Sequence, residues 1–289
     1  MARTLHIPFF NGQCLIELCF LFLILNGPSF ASPPGPQLLL LNVGEGASQL
    51  LITEDRQACL IDTGNPISGT RILRVLRSED INELECIIVT HPHPDHMGGI
   101  FTILGLMKVK RIYDNGQPIP GRPNCDILRW YDNFVRKRKN YSVLRAGDTL
   151  KLSKLIMISC LWPERGRPLS RNWNENSLVL MIHLGEKRVL IMGDATMKVE
   201  EELLRTSRIG PVDGLVVGHH GAGDATGNKF LASAKPKWAY VSVDRDNIRG
   251  YPSNDTLMRL KRAGIQAFLS FLYGDCKVGT VTGIMCSNL

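Results

Sequence analysis

The sequence lacks the patterns that mark several common classes of protein. No C-x-x-C pair occurs, which argues against a thiolate zinc site. No G-x-S-x-G occurs, which excludes the nucleophile elbow of a serine hydrolase. The turn Gly44-Glu45-Gly46 lacks the third glycine of a dinucleotide fingerprint and precedes a predicted strand. Short-period repeats and low-complexity segments are also absent, and the hydrophobic fraction of 44% indicates a globular chain with a substantial core.

The longest apolar run near the N-terminus is too short for a comfortable membrane span. Cys14–Leu25 is apolar apart from Glu17, whereas a span needs about 20 apolar residues. Arg3 precedes the run, and small residues ending at Ala31 follow it, which favours a cleaved signal peptide over an uncleaved anchor. We therefore expect a secreted or extracytoplasmic protein with no stable span after cleavage. The predicted organisation is a signal peptide, a linker and one folded domain, at residues 1–31, 32–37 and 38–289.

The charge is moderately basic. Cleavage of the predicted signal peptide would remove one cation and one anion, Arg3 and Glu17, so the formal net charge would stay at +7. A basic surface favours an anionic partner, such as nucleic acid or another phosphodiester, or serves solubility alone.

Two of the eight cysteines lie in the predicted signal peptide, and the remaining six fall into distinct contexts. Cys59, Cys86 and Cys160 lie in apolar strand-like runs, which predicts small buried side chains. Cys276 and Cys286 are the favoured disulfide partners in an exported chain, although sequence alone does not set the pairing.

Short apolar runs bounded by turn residues predict many strands, and helical spacing follows several of them. Glu85–Thr90 is a fully apolar strand, and Ile265–Leu272 and Gly279–Met285 are predicted as a closing pair of strands. This alternation suits helices packed outside two sheets. The predicted fold class is therefore α/β, with four layers in a single domain.

Residues Asp126–Lys139 predict an amphipathic helix. Its spacing places Ile127, Trp130 and Phe134 on the inward face. A groove for a phosphate backbone is the alternative, because cations and aromatic residues are interleaved here. The basic residues of the segment are Arg129, Arg136, Lys137, Arg138 and Lys139.

The strongest chemical signal is the run HPHPDH at residues 91–96, directly after a predicted buried strand. Neutral imidazole and carboxylate are ligands for zinc, iron or manganese. Alternate residues of an extended segment point the same way, so His91 and His93 can bind one ion. The turn that follows lets Asp95 and His96 face a second ion. A solvated histidine-rich loop is the less favoured interpretation.

Other polar residues follow predicted strands. Asp62, Asp194 and the pair His219-His220 each lie where a strand ends, and strand ends of an α/β sheet present ligands to a common crevice. Each residue alone also fits a turn or capping role. Together with the HPHPDH run, they indicate one site.

The order D-T-G, H-x-H-x-D-H, G-D and H-H-G resembles the metallo-β-lactamase superfamily. It is most similar to the extracytoplasmic hydrolase domain of the competence protein ComEC and its stand-alone relatives. The resemblance implies a four-layer αββα sandwich that holds two divalent ions. Zinc is the favoured metal for both, and manganese is the alternative. The supporting stretches are Asn42–Gly46, Ile61–Gly64, Val89–Gly99, Ala146–Asp148, Asn176–Leu180, Met192–Asp194 and Val217–Gly221.

The resemblance also implies a role for each matching residue. Asp194 would bridge the two ions, and His220, in preference to its neighbour His219, would complete the second. Asp62 would orient the histidine loop through hydrogen bonds. A hydroxide bridging the ions would attack the substrate, and Asp95 or a bound water would handle the proton. The implied metal ligands are His91, His93, Asp95, His96, Asp194 and His220.

The sequence departs from the family pattern at two candidate ligand positions, and also at Ala47, where the subgroup usually has an aspartate. Asn174 or Asn176 stands where many members have a further histidine for the first ion, and an amide oxygen is a weaker ligand that suits a harder ion such as manganese. Tyr251 stands where the subgroup usually has a histidine before the proline. Loss of that histidine would leave activity reduced, altered or absent.

The expected function is metal-dependent hydrolysis of a phosphodiester, with Asp95 and Asp194 as the catalytic carboxylates. The alternative enzyme is an acyl hydrolase acting on a lactam, lactone or thioester. A third interpretation is a protein that binds metal or an anionic polymer without turnover, motivated by the two departures at candidate ligand positions.

Overall fold

The computed structural model describes residues 35–120 and 125–287. The predicted signal peptide and the first part of the predicted linker lie outside these residues. Gln37, the last residue of the predicted linker, already belongs to the first strand. Within the described ranges, no helix combines the length and the hydropathy that crossing a bilayer requires.

Two sheets form the centre of the fold. The first has the strand order β15-β14-β1-β2-β3-β4-β5-β6, and the second has the order β13-β12-β11-β10-β9-β8-β7. The first sheet consists of β1 Gln37–Leu40, β2 Gln49–Ile52, β3 Ala58–Ile61, β4 Glu83–Ile88, β5 Lys108–Asp114, β6 Tyr141–Val143, β14 Cys276–Gly279 and β15 Ile284–Cys286. The second consists of β7 Thr149–Lys151, β8 Ile156–Trp162, β9 Val179–Leu184, β10 Lys187–Ile191, β11 Gly214–Val216, β12 Trp238–Val241 and β13 Gln266–Leu269.

Each sheet contains a parallel half. Strands β3 to β6 run parallel to one another in the first sheet, and β10 to β13 do so in the second. Parallel neighbours end at the same edge of a sheet, so the loops after these strands are brought together. The candidate ligands lie in these loops.

Helices cover the outer faces of both sheets. The α-helices are α1 Ser68–Ser78, α2 Pro94–Met97, α3 Ile100–Leu106, α4 Asp126–Trp130, α5 Met197–Arg205, α6 Asn228–Ala234, α7 Asn254–Arg262 and α8 Ser270–Tyr273. Successive residues of a strand point to opposite faces, so Ile61 packs between the sheets while Leu60 packs outward with Ile72 of α1. On the other side, Leu190 packs with Val199 of α5. The four-layer α/β prediction is confirmed.

The predicted inward face of the helix after residue 125 is confirmed at Ile127, which packs against the core, and is wrong at Trp130 and Phe134. Helix α4 ends at Trp130 and continues as a π-helical turn, Tyr131–Val135, in which Tyr131 is buried while Trp130 and Phe134 are exposed. The Tyr131 hydroxyl donates to Asp114 Oδ2 at 3.1 Å, and Arg136 pairs with the same oxygen at 2.7 Å. This buried polar cluster turns the tyrosine face inward, and it removes Arg136 from the predicted basic surface.

Two further expectations need correction. Ile265–Leu272 is not one strand, because β13 ends at Leu269 and α8 begins at Ser270. Gly279–Met285 is not one strand either, because it spans the turn of a hairpin formed by β14 and β15. The Cys276–Cys286 disulfide joins that hairpin. Cys59 and Cys86 are buried as expected, yet they also form a disulfide, because they lie directly opposite each other in β3 and β4.

The buried carboxylate of Glu200 allows the packing of helix α5 to be tested. Glu200 is 2% exposed on α5, where its carboxylate accepts hydrogen bonds from the backbone N–H groups of Thr226 and Gly227. Burial nevertheless raises the pKa of Glu200 to about 7 from an ordinary value of 4.5. A raised pKa in the folded state contributes stability below pH 4.5, and that contribution is lost as the pH rises through about 7.

We expect Glu200→Gln to remove this contribution. Between pH 4.5 and 8, the free energy of unfolding of the wild type should fall by up to about 3 kcal/mol more than that of the variant. Urea unfolding at several pH values in a chelating buffer measures it. Glu201→Gln, at an exposed position on the same helix, is the control and should follow the wild type. Identical pH profiles for Glu200→Gln and the wild type would contradict the prediction.

Candidate metal centre

The ligands predicted from the sequence come from three connections that meet at one end of the two sheets. The loop after β4 carries His91 and His93 and leads into the short helix α2, which carries Asp95 and His96. Asp194 follows β10 after a glycine, and a 3-10 turn, Gly218–Gly221, follows β11 and carries His219 and His220. The common edge of the parallel strands thus brings these residues together.

The first group of ligands consists of His91, His93 and Asp194, whose ligand atoms lie within 4.8 Å of one another. His91 Nε2 is 2.9 Å from His93 Nδ1 and 3.5 Å from Asp194 Oδ2. His91 is completely buried, and His93 stacks on Trp173 with a centroid distance of 5.5 Å.

The second group consists of Asp95, His96 and His220, again within 4.8 Å. His96 Nε2 is 3.2 Å from His220 Nε2, and His220 Nε2 is 3.6 Å from Asp95 Oδ2. Asp194 Oδ1 lies 3.0 Å from His96 Nε2 and 3.4 Å from His220 Nε2. One oxygen of Asp194 therefore faces each group, which is the arrangement expected of a carboxylate shared by two ions.

Hydrogen bonds on the far side of the rings fix the tautomers of the second group. His96 Nδ1 is 2.8 Å from Asp62 Oδ2, and His220 Nδ1 is 2.8 Å from the carbonyl oxygen of Ser242. Both partners are acceptors, so each Nδ1 carries the ring proton and each Nε2 presents a lone pair. The two lone pairs face each other and the carboxylate of Asp194. Only a positive charge between them makes this arrangement favourable.

The buried polar atoms also fit a metal ion. Asp194 Oδ1 and Asn174 Oδ1 are both buried without a hydrogen-bond partner among the described residues. Buried polar oxygens are rarely left unpaired, because desolvation without a partner costs roughly 1–3 kcal/mol. A divalent cation held by the imidazoles would satisfy Asp194, so the residues present fit the two ions that the sequence implies.

Electrostatics separate the histidines. Burial and the neighbouring His96 lower the pKa of His91 well below its usual value, which leaves this imidazole neutral and able to bind a metal. Burial opposes protonation of His96, but Asp194 and Asp62 raise the pKa of His96 well above its usual value. A proton therefore competes with a metal ion at His96, and metal binding displaces that proton.

Asp62 supports the second group from behind. It is buried at the end of β3, and it accepts hydrogen bonds from the Thr90 backbone N–H at 2.7 Å and from the Thr90 hydroxyl at 2.8 Å. With its contact to His96, it ties the start of the histidine loop to α2.

Not every candidate lies in the two groups. The amide of Asn176 donates to the Ser170 carbonyl and to Gln117, and its oxygen accepts from the Ser170 N–H at 2.8 Å. Asn176 is therefore a structural residue and not an available ligand, because both ends of its amide are already used. Asn174 Nδ2 lies 3.0 Å from His219 Nε2, and its oxygen remains unpaired.

His219 and Tyr251 line the rim beside the two groups. The other ring nitrogen of His219 lies 2.9 Å from Asp224 Oδ1, so neither nitrogen faces Asp194. The Tyr251 ring packs edge-on against His219, with 5.5 Å between centroids. Both His219 and His220 have left-handed backbone conformations, at φ 49° and 53°, which is strain typical of functional sites.

Sequence reasoning missed three residues at this site. Ser242 could have been found, because it comes directly after the apolar run Trp238–Val241, as the candidate ligands come after their strands. Arg249 Nη1 is 3.2 Å from Asp95 Oδ2, and Trp173 stacks on His93. Neither residue belongs to a sequence motif that would have pointed to the site.

Asp62→Asn tests the supporting role of Asp62. The neutral amide no longer fixes the His96 tautomer, so we expect metal affinity at the second group to fall about 10–100-fold. Titration of the apoprotein with zinc against a competing chelator measures the affinity. Asp80→Asn, at an exposed position after α1, is the matched control. Equal affinities for Asp62→Asn and the wild type would show that Asp62 does not support the ligand.

Comparisons with known proteins agree with this geometry. A family model described as the metallo-beta-lactamase superfamily matches residues 43–121. ComE operon protein 3 of Bacillus subtilis (strain 168) is 28% identical, over 89% of this chain and 34% of that protein. Recombination protein 2 of Haemophilus influenzae (strain ATCC 51907 / DSM 11121 / KW20 / Rd) is 31% identical, over 86% of this chain and 29% of that protein. The chain thus spans about a third of the length of these curated relatives.

A solved structure shares the fold. A diphosphatase from the PhnP family is 17% identical with a TM-score of 0.51, and the match covers 86% of this chain and 100% of that one. The resemblance that the motifs carried is confirmed. The chain belongs to the metallo-β-lactamase superfamily of metal-dependent hydrolases, and it is similar to one segment of these competence-protein relatives.

Proposed function

We propose that this hydrolase cleaves phosphodiesters, in an extracytoplasmic compartment. The observation that carries the proposal is the carboxylate of Asp194, whose two oxygens face two separate groups of metal ligands. Sites that hold two ions are the usual arrangement for displacement at phosphorus, because both the attacking and the leaving oxygen are then stabilised. The formal net charge of +7 also favours an anionic substrate.

The proposed division of labour follows from the residues. His91 and His93 would hold one divalent ion, Asp95, His96 and His220 would hold the other, and Asp194 would contribute to both groups. Such ions supply Lewis acidity and a nucleophile at neutral pH, and zinc or manganese suits this set of imidazoles and carboxylates.

The protein's own groups orient the ligands and take part in proton transfer. Asp62 and Ser242 hold the rings of the second group with their ε nitrogens turned toward Asp194. Asp95 is the least buried carboxylate of the site, since its side chain is 14% exposed and that of Asp194 is 4% exposed. Because Asp95 lies at the rim, either Asp95 or a bound water would handle the proton at the substrate.

The proposed compartment rests on two features. The sequence predicts a cleaved signal peptide, and the structure contains two disulfides, Cys59–Cys86 and Cys276–Cys286. Disulfides persist in oxidising compartments and are rare where thiols are kept reduced.

The proposal is tested with purified protein, bis-p-nitrophenyl phosphate and single-stranded DNA, each with zinc and with manganese. We expect the wild type to cleave a phosphodiester and His93→Ala to lose about 100-fold or more in kcat/KM, because a direct ligand matters at least as much as its supporting groups. Elemental analysis should find two ions in the wild type.

His183→Ala is the matched control, since His183 lies in β9 opposite Arg188 and outside both groups. It should keep the wild-type rate and both ions. If the protein cleaves neither phosphodiester but hydrolyses a lactam, lactone or thioester, the proposed substrate class is wrong. A wild type with one weakly bound ion or none, and no turnover, would instead indicate a binding protein.

A further inference from the structure

The loop after β12 closes one side of the candidate metal centre. It begins at Ser242, whose carbonyl accepts from His220 and whose hydroxyl donates to the Gly46 carbonyl at 2.7 Å. It ends at Pro252, which packs against Gly221 so closely that a Cβ on that glycine would lie 2.6 Å from the proline. Both ends of the loop are therefore fixed to backbone that carries or flanks the ligands.

A single amide holds the middle of this loop. Asn247 Nδ2 donates to the carbonyl oxygens of Asp244 at 2.8 Å and Tyr251 at 2.7 Å, and Asn247 Oδ1 accepts from the Tyr251 N–H at 2.8 Å. Gly250 supplies the positive φ, +67°, that the turn requires. Arg249, which directly precedes Gly250, therefore belongs to a loop that is held by hydrogen bonds.

Arg249 lies between two carboxylates at the rim of the site. Its Nη1 is 2.8 Å from Glu45 Oε1 and 3.2 Å from Asp95 Oδ2. A guanidinium has five N–H donors, yet only this nitrogen has a polar partner among the described residues. The side chain is 48% exposed, so the other donors remain open to solvent beside a predicted metal ligand.

The charges explain why the guanidinium stays there. Glu45 holds Arg249 in place from outside the two ligand groups, while Asp95 belongs to the second group. When Asp95 binds a cation, the ion pair between Asp95 and Arg249 weakens. The ion pair with Glu45 still holds the Arg249 side chain in place. The open N–H groups then remain available beside the centre with a positive charge, and a guanidinium with free donors can bind phosphate in a bidentate manner.

We propose that Arg249 is a substrate-binding residue that selects anionic substrates by donating hydrogen bonds to a phosphate oxygen, and that Glu45 positions it. This inference rests on the proposed phosphodiester function and names the residue that recognises the diester. The loop also provides a matched control, Arg245, which is exposed and lies over the ring of Phe271 at 5.7 Å from its centroid.

The test uses zinc-loaded protein from which free metal has been removed, and inorganic phosphate as the probe. We expect Arg249→Ala to raise the Kd for phosphate in calorimetry about tenfold or more, as expected for loss of charged hydrogen bonds. Arg249→Lys should recover only part of the affinity, because an ammonium cannot form the bidentate pair. Arg245→Ala should stay within about twofold of the wild type, since at that position only the general charge changes. Zinc content should be the same in all four proteins.

With bis-p-nitrophenyl phosphate, the same Arg249→Ala substitution should raise KM more than it lowers kcat. The inference is overturned if Arg249→Ala binds phosphate as the wild type does, if Arg245→Ala weakens binding equally, or if the wild type binds no phosphate. Phosphate binding that depends on Arg249, in a wild type that cleaves no phosphodiester, would leave this anion site standing and overturn only the proposed function. If Arg249→Ala cleaves phosphodiesters with the kcat and KM of the wild type, the proposed function stands and the proposed role of Arg249 is wrong.

Discussion

The buried carboxylate of Asp194 lies between imidazole nitrogens that present lone pairs to it when the rings are neutral, and the rest of the site depends on this contact. His96 and His220 donate their ring protons outward, to Asp62 and Ser242, so their lone pairs point inward at Asp194. A cluster of lone pairs and a carboxylate away from water is unfavourable unless a cation neutralises it. Protons satisfy it in part, and divalent ions satisfy it in full. The same geometry that requires a cation thus also defines where it binds.

The fold produces this arrangement by ending parallel strands of two sheets at one edge. Each sheet alone would present only part of the ligand set, because the histidine loop follows β4 of the first sheet and Asp194 follows β10 of the second. The close approach of the connections needs glycine at a defined place. At Gly46, with φ +125°, an added Cβ would lie 2.3 Å from the Asp95 carbonyl oxygen. Any larger residue there would push apart the turn and the helix that carries two ligands.

The sequence could predict which candidate ligands come together, because each motif is local. A strand followed by HPHPDH, by Gly-Asp or by His-His-Gly places ligand side chains at a strand end without knowledge of the rest of the chain. The sequence could not predict contacts that depend on how distant segments pack. Arg249 meets Glu45 and Asp95 only after the loop has folded back over the first glycine turn.

The same limit explains the corrected elements. The Cys59–Cys86 disulfide depends on the register of two parallel strands, which the separate apolar runs do not encode. The inward face after residue 125 is set by the buried contact of Tyr131 and Arg136 with Asp114, and not by hydrophobic spacing alone.

Anomalous scattering from crystals of the protein grown with zinc tests the central claim most directly. The account predicts two zinc peaks on opposite sides of the Asp194 carboxylate, one bound by His91 and His93 and the other by Asp95, His96 and His220. A map without zinc peaks at this position, or a structure in which Asp194 is turned away from the imidazoles, would contradict the account.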